Sequence, residues 1–117
     1  MNEKYRGIII RESLSNPSIL EDIKIVSEHT EPDQDNPNEI WHTYTVEISR
    51  DMIKELQPYL KQEGGWYMHF WKGRDVVVVF RDKMFEINYD DKSTWEEVVN
   101  YGLSMGVPKE QLDFLID

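Results

Sequence analysis

The chain has 117 residues, the length of one domain, and its 39% hydrophobic and 12% aromatic content is more than a disordered chain carries. It contains no cysteine, which excludes disulfides, thiolate nucleophiles and zinc–thiolate centres. The formal net charge is −10, and the Lys and Arg residues do not cluster as binding to a nucleic-acid backbone requires. We therefore expect a single domain over residues 1–117 that does not bind nucleic acid.

No apolar run approaches the roughly 20 residues of a membrane helix, and the three isoleucines near the N-terminus are too few for a signal peptide. With the absence of cysteine, this predicts a cytoplasmic protein without a membrane partner. The acidic charge lies mainly in residues 1–39 and 93–117, and we interpret it first as a determinant of solubility. Docking on a basic partner is the alternative.

The first part of the chain predicts two strands and a loop. Three consecutive isoleucines, residues 8–10, place apolar side chains on both faces of a strand over residues 5–11, as in a covered central strand. A second strand is predicted over residues 23–29. Residues 31–38 combine two prolines with turn-forming residues and no apolar one, which predicts an exposed, mobile loop.

The middle of the chain predicts a strand followed by a helix. Residues 40–48 are rich in β-branched and aromatic residues and alternate along the chain, which is typical of a strand. Ser49 or Asp51 can cap the helix, and Gly64 with Gly65 ends it. The apolar stripe of this helix consists of Met52, Ile53, Leu56, Tyr59 and Leu60.

Residues 66–89 give the clearest pattern in the sequence. Three strands are predicted at residues 66–71, 76–81 and 84–89, separated by two short connections. Connections of this length join only antiparallel neighbours, so these strands form a C-terminal meander.

Two short helices are predicted after the meander. Ser93 and Thr94 are each followed three residues later by a glutamate, the spacing of a capping box, and Gly106 can end the helix. Pro108 begins a last short helix. The element order predicts an α+β domain, a mainly antiparallel sheet of about six strands with helices packed on one face as a two-layer sandwich.

Alternation along the strands assigns the side chains of the meander to two faces. The face expected to contact the helices contains Tyr67, His69, Trp71, Val76, Val78, Phe80, Phe85, Ile87 and Tyr89. The opposite face, called the mixed face below, contains Trp66, Met68, Phe70, Val77, Val79, Arg81, Met84, Glu86 and Asn88. Its apolar area must be covered at least in part, either by the N-terminal strands and the 31–38 loop, by a second copy of the chain, or by a partner or ligand.

The pattern of polar residues predicts no catalytic constellation, no metal and no cofactor. His69 is predicted to point into the core as a neutral imidazole, with a general base in an aromatic pocket as the alternative. His42 has the same interpretation. His29 lies beside two glutamates but lacks metal-ligand spacing, and no Gly-rich phosphate loop or G-x-S-x-G motif is present.

Three hypotheses about function follow. The first is a non-enzymatic binding or protein-interaction module that uses the mixed face through Trp66, Phe70, Arg81 and Glu86, with a homodimer or another protein as the partner. The second is a small enzyme or small-molecule sensor with His69 in an aromatic pocket. The third is an acidic mimic of nucleic acid that inhibits a DNA-binding protein.

Four segments carry a resemblance to other proteins: residues 7–14, 65–71, 91–95 and 106–114. In these segments the chain resembles a set of small bacterial and archaeal proteins described only as hypothetical. No activity, cofactor or catalytic residue is known for that set, so the resemblance implies none here.

Overall fold

The computed structural model describes residues 4–32, 38–61, 66–107, 109, 112 and 114. Most of the predicted 31–38 loop, the two glycines predicted to end the first helix and most of the predicted last helix lie outside these residues. Leu112 and Phe114 from that last segment are described, and both side chains are buried.

Six strands form one antiparallel sheet. They are β1 Lys4–Ile10, β2 Lys24–Pro32, β3 Ile40–Ser49, β4 Met68–Lys72, β5 Asp75–Val79 and β6 Met84–Asn88. Their order in the sheet is β2-β3-β1-β4-β5-β6, and every pairing is antiparallel. The structure confirms the α+β class, the six-stranded antiparallel sheet and the C-terminal meander.

In the described part of the chain, two α-helices and four 3-10 turns accompany the sheet. The helices are α1 Arg50–Leu56 and α2 Glu96–Ser104, and the turns cover Arg11–Ser13, Pro17–Asp22, Gln57–Tyr59 and Lys92–Trp95. No helix in the described part of the chain combines the length and apolarity that crossing a membrane requires.

The N-termini of the helices show how the sequence sets local structure. Ser49, one of the two predicted caps of α1, accepts a hydrogen bond from the Met52 amide at 3.2 Å. Before α2, Asp91 caps the 3-10 turn Lys92–Trp95 by accepting from the Ser93 amide at 3.1 Å. The α-helix itself begins after Trp95 with no side-chain cap, so neither Ser93 nor Thr94 is the cap that was predicted. The reason is the 3-10 turn before α2, which moves the first helical residues upstream of the expected capping box.

The faces of the meander are as predicted, but both are covered by helices. Ile53 and Leu56 of α1 belong to the same buried cluster as Phe70. On the other face of the sheet, Trp95 and Val98 pack with the apolar residues of the expected helix-facing set. The sheet therefore has helices on both sides, which differs from the predicted packing on one face, because α1 and α2 follow different strands and each covers one apolar surface.

The helices and the buried side chains cover only one part of the sheet. Every residue of β2 is exposed, and Ile40, at the start of β3, is 55% exposed. By contrast, Val76 to Val79 of β5 are all buried. β2 and the start of β3 thus lie outside the packed core, whereas Val46 and Ile48 near the end of β3 are buried in it.

Candidate functional site

Most of the apolar area of the mixed face is buried within the domain in the structure, which is one of the three covers considered from the sequence. The Phe70 side chain is fully buried beneath α1. Arg81 donates to the carbonyl oxygens of Pro58 at 3.3 Å and Leu60 at 2.9 Å. Glu86 forms an ion pair with Arg50. Of the three covers considered, the cover is internal, and α1, Leu60 after it and the N-terminal residues Leu14 and Leu20 all belong to the cluster that buries this face.

Trp66 and His69, the remaining predicted site residues, are half-buried among aromatic rings. The Trp66 ring lies 4.7 Å, centroid to centroid, from that of Trp41. The His69 ring stacks on Trp71 at 5.4 Å, and Phe114 is 6.2 Å away. Neither side chain lines either of the two cavities described below.

A histidine–carboxylate pair occurs instead at His42, which the sequence interpretation placed in the core. The His42 side chain is 40% exposed. One oxygen of Glu12 accepts from the His42 amide at 2.7 Å, and the other lies 2.8 Å from Nδ1. An ionised carboxylate only accepts hydrogen bonds, so Nδ1 carries a proton, and in the neutral form of the ring the lone pair is on Nε2. Within the described residues, Nε2 forms no hydrogen bond.

The sheet brings these two residues together from distant parts of the chain. Glu12 lies in the turn directly after β1, and β1 pairs with β3 up to Ile10 opposite Thr43. The residue that precedes Thr43 and the residues that follow Ile10 therefore meet just beyond the end of β1. Sequence reasoning missed Glu12 because 30 residues separate it from His42 and no local spacing connects them.

The environment of Glu12 determines the direction of its pKa shift. Partial burial acts to raise the pKa of the Glu12 carboxyl, but the hydrogen bonds from the His42 amide and ring act in the opposite direction and prevail. The pKa of Glu12 is therefore lower than its usual value. The carboxylate stays ionised near neutral pH and holds the imidazole in one orientation.

His42 lines a cleft of about 280 Å³ on the β2–β3 pair, called the ribbon cleft below. Its wall consists of Glu28, His29, Thr30, His42 and Tyr44. Thr30 is opposite His42 and Glu28 is opposite Tyr44, so these four side chains share one face of the sheet. The cleft thus contains a hydroxyl, a phenol, a carboxylate and an oriented imidazole.

The ribbon cleft adjoins the terminal strand of the sheet. His29 Nε2 lies 2.6 Å from Glu31, an exposed pair on β2. Across the described residues, no group of three or more His, Asp and Glu side chains is arranged to hold a metal ion. The chemistry available here is hydrogen bonding, charge pairing and proton transfer.

No protein-family model, no curated protein and no solved structure matches this chain. The resemblance to small bacterial and archaeal proteins stays a prediction.

Proposed function

We propose that this domain is a cytoplasmic protein-interaction module that binds an extended, basic segment of a partner protein as a seventh strand beside β2. The observation that carries the proposal is that β2 is the terminal strand of the sheet and is exposed at all nine positions. A terminal strand offers a row of backbone donors and acceptors, and strand addition is a common mode of peptide recognition.

The backbone groups that would bind the segment follow from the register. In an antiparallel sheet, successive residues bond alternately to the two neighbouring strands. The Tyr89 amide donates to the Arg74 carbonyl at 2.8 Å. Every second residue of β5, counted from Arg74, therefore bonds to β6. The observed registers carry this alternation from β5 through β4, β1 and β3 to β2. On β2, the amides and carbonyls of Glu28 and Thr30 then point away from the sheet.

The residues of β2 restrict what can pair with it. A bulge between Ile25 and Ser27 interrupts the register, and Pro32 has no amide hydrogen. These features are typical of edges protected from indiscriminate pairing. Glu28 and Glu31 are exposed on the strand, in a chain of net charge −10. A partner strand with Lys or Arg residues complements this edge, and like charges repel an acidic one.

The size of the cavities also supports binding of a polypeptide. The ribbon cleft has about 280 Å³ and the second cavity about 220 Å³. Sites for drug-sized ligands are usually about 300–1,000 Å³ and enclose most of the ligand. The ribbon cleft is better suited to one or two side chains of a bound strand.

The test uses a ten-residue peptide of alternating lysine and valine, titrated into the isotope-labelled domain at fixed ionic strength. We expect amide chemical-shift changes concentrated on Glu28 and Thr30. Thr30→Pro removes the outward amide without touching the ladder to β3, and should weaken binding about tenfold. Thr30→Val keeps the amide and serves as the matched control.

A second peptide of the same charge, with alternate amides N-methylated, distinguishes backbone pairing with β2 from attraction between charges. It should not bind, because N-methylation removes the backbone donors. Equal affinity of the methylated peptide, or of the Thr30→Pro variant, overturns the proposal. Light scattering of the domain alone tests whether a second copy of the chain pairs with β2. A monomer is expected, and a dimer joined through β2 contradicts a separate partner.

A small enzyme or small-molecule sensor is the second candidate, and the Glu12–His42 pair favours it. The sequence predicted such a site at His69, whereas the oriented imidazole in a cleft is His42. As a test, p-nitrophenyl acetate reports nucleophilic imidazole, because attack by Nε2 expels p-nitrophenolate and water then hydrolyses the acyl-imidazole. If the pair is catalytic, His42→Gln should lower the rate about a hundredfold, and His29→Gln should not.

The third sequence-based hypothesis, a mimic of nucleic acid, requires a surface array of unpaired carboxylates. Glu47, Glu86 and Asp90 are each paired with a Lys or Arg side chain. This pairing reduces the available array, and we do not favour the hypothesis.

A further inference from the structure

Four polar side chains occupy the corners of a square patch in the ribbon cleft. Thr30 is opposite His42 and Glu28 is opposite Tyr44, so all four project from the same face of the sheet. His29 also lines the cleft, although alternation along β2 places its side chain on the other face. Within the described residues, the side chains of Glu28, Thr30 and Tyr44 form no hydrogen bond and no ion pair. The patch therefore has hydrogen-bonding capacity that the described part of the domain does not use.

The patch accepts hydrogen bonds and carries negative charge. Glu28 supplies a carboxylate, which only accepts when it is ionised. In the neutral form of the His42 ring the Nε2 lone pair is also an acceptor, because Nδ1 donates to Glu12. The hydroxyl groups of Thr30 and Tyr44 can accept as well. Among the described residues that line the cleft, none is Lys or Arg. The ligand group that such a site favours is a cationic donor.

The opposite face of β2 differs, because its charges are already paired. His29 and Glu31 lie there two residues apart, with His29 Nε2 2.6 Å from the carboxylate. Lys24 is on the same face, opposite Glu47, and its Nζ is 3.0 Å from that carboxylate. A cation on this face would compete with existing pairs. On the face of the ribbon cleft it would meet the carboxylate of Glu28, which has no partner among the described residues.

The geometry of strand addition directs side chains of a bound segment onto the patch, and this step rests on the proposed function. The amides and carbonyls of Glu28 and Thr30 point away from the sheet, so an antiparallel seventh strand places one residue directly opposite each of them. Residues directly opposite share a face, so both of these side chains lie on the side of the ribbon cleft. Thr30 has a short side chain, and a long side chain opposite it can cross it toward His42.

We propose that the ribbon cleft binds the ammonium group of a lysine, carried by the residue of the bound strand that lies opposite Thr30. The ammonium group has three donors that point in different directions, which suits acceptors on several sides: the Glu28 carboxylate, His42 Nε2 and the Tyr44 hydroxyl. The donors of an arginine lie in one plane and suit a single carboxylate or phosphate better. The lysine determines which face of the partner strand meets the domain, and with it the register of pairing.

The experiment uses the complex of the isotope-labelled domain with the peptide of alternating lysine and valine. In such a strand all lysines share one face and all valines the other. We expect isotope-filtered NOEs from the lysine ε-methylene protons to the ring protons of His42 and Tyr44, with a change in the ¹⁵N shift of His42 Nε2. NOEs from valine methyl groups to these rings, with the Thr30 amide still shifted, overturn the lysine site but not strand addition. No change at the Glu28 and Thr30 amides overturns both.

Two variants separate the site from general attraction between charges. Glu28→Gln should weaken binding of the peptide about tenfold, since it removes a charged acceptor of the ammonium group. Glu31→Gln is the matched control, because it removes the same charge from an exposed position of the same strand on the opposite face. It should change the affinity by less than about twofold. Equal losses in the two variants show attraction to overall charge alone and overturn the proposal.

Discussion

Replacing Phe70 by aspartate should leave a chain that does not fold. Phe70 is fully buried between β1 and α1, in the cluster that includes Ile53 and Leu56. Removing a buried phenyl group costs about 3–5 kcal/mol, and an unpaired buried carboxylate adds several more. The free energy of unfolding of a domain is about 5–15 kcal/mol in total. Far-UV circular dichroism and a urea titration of Phe70→Asp should show loss of the native structure.

Leu103→Asp is the matched control for this change. Leu103 is 44% exposed on α2, so the same substitution there should leave the domain folded with nearly the wild-type free energy of unfolding. A folded Phe70→Asp variant that has lost only a binding activity contradicts the core position. It returns the mixed face to consideration as the interaction surface.

Gly7→Ala should destabilise the domain by about 3 kcal/mol, the upper part of the range for overpacked cores. Gly7 is opposite Phe70 in the β1–β4 register. A Cβ on Gly7 would lie 2.1 Å from Cδ1 of Phe70 and 2.9 Å from the carbonyl oxygen of His69. The phenyl ring covers the glycine backbone, and the carbonyl belongs to a paired strand that cannot shift easily. Urea unfolding of the purified variant gives the change in free energy.

Two further variants separate steric overlap from a backbone effect of removing glycine. Gly73→Ala places a methyl group where nothing lies within 4 Å, and its positive φ predicts a cost of only about 1–2 kcal/mol. The double variant Gly7→Ala/Phe70→Leu should recover part of the stability lost by Gly7→Ala alone, because the ring is gone. Purely additive losses in the double variant contradict steric overlap as the cause.

The contrast between His69 and His42 shows how far the sequence predicts the site. Alternation within the meander placed His69 with Tyr67 and Trp71, and these rings are neighbours in the structure. The same logic placed His42 with the apolar set of β3, but it could not show that this end of the strand is only partly covered. The Glu12–His42 pair requires the β1–β3 pairing, which joins residues far apart in the chain.

The sequence by itself determined the class of the fold, the six strands, the meander and the two faces of its side chains. These features follow from local rules, because side chains alternate along a strand and very short turns permit only antiparallel neighbours. Only the tertiary structure decided that α1 covers Phe70, that Glu12 meets His42 and that β2 is the exposed terminal strand. An amphipathic helix fits any complementary apolar surface, and the order of strands depends on long-range pairing. The local sequence pattern therefore specifies neither the surface that a helix covers nor the order of the strands in the sheet.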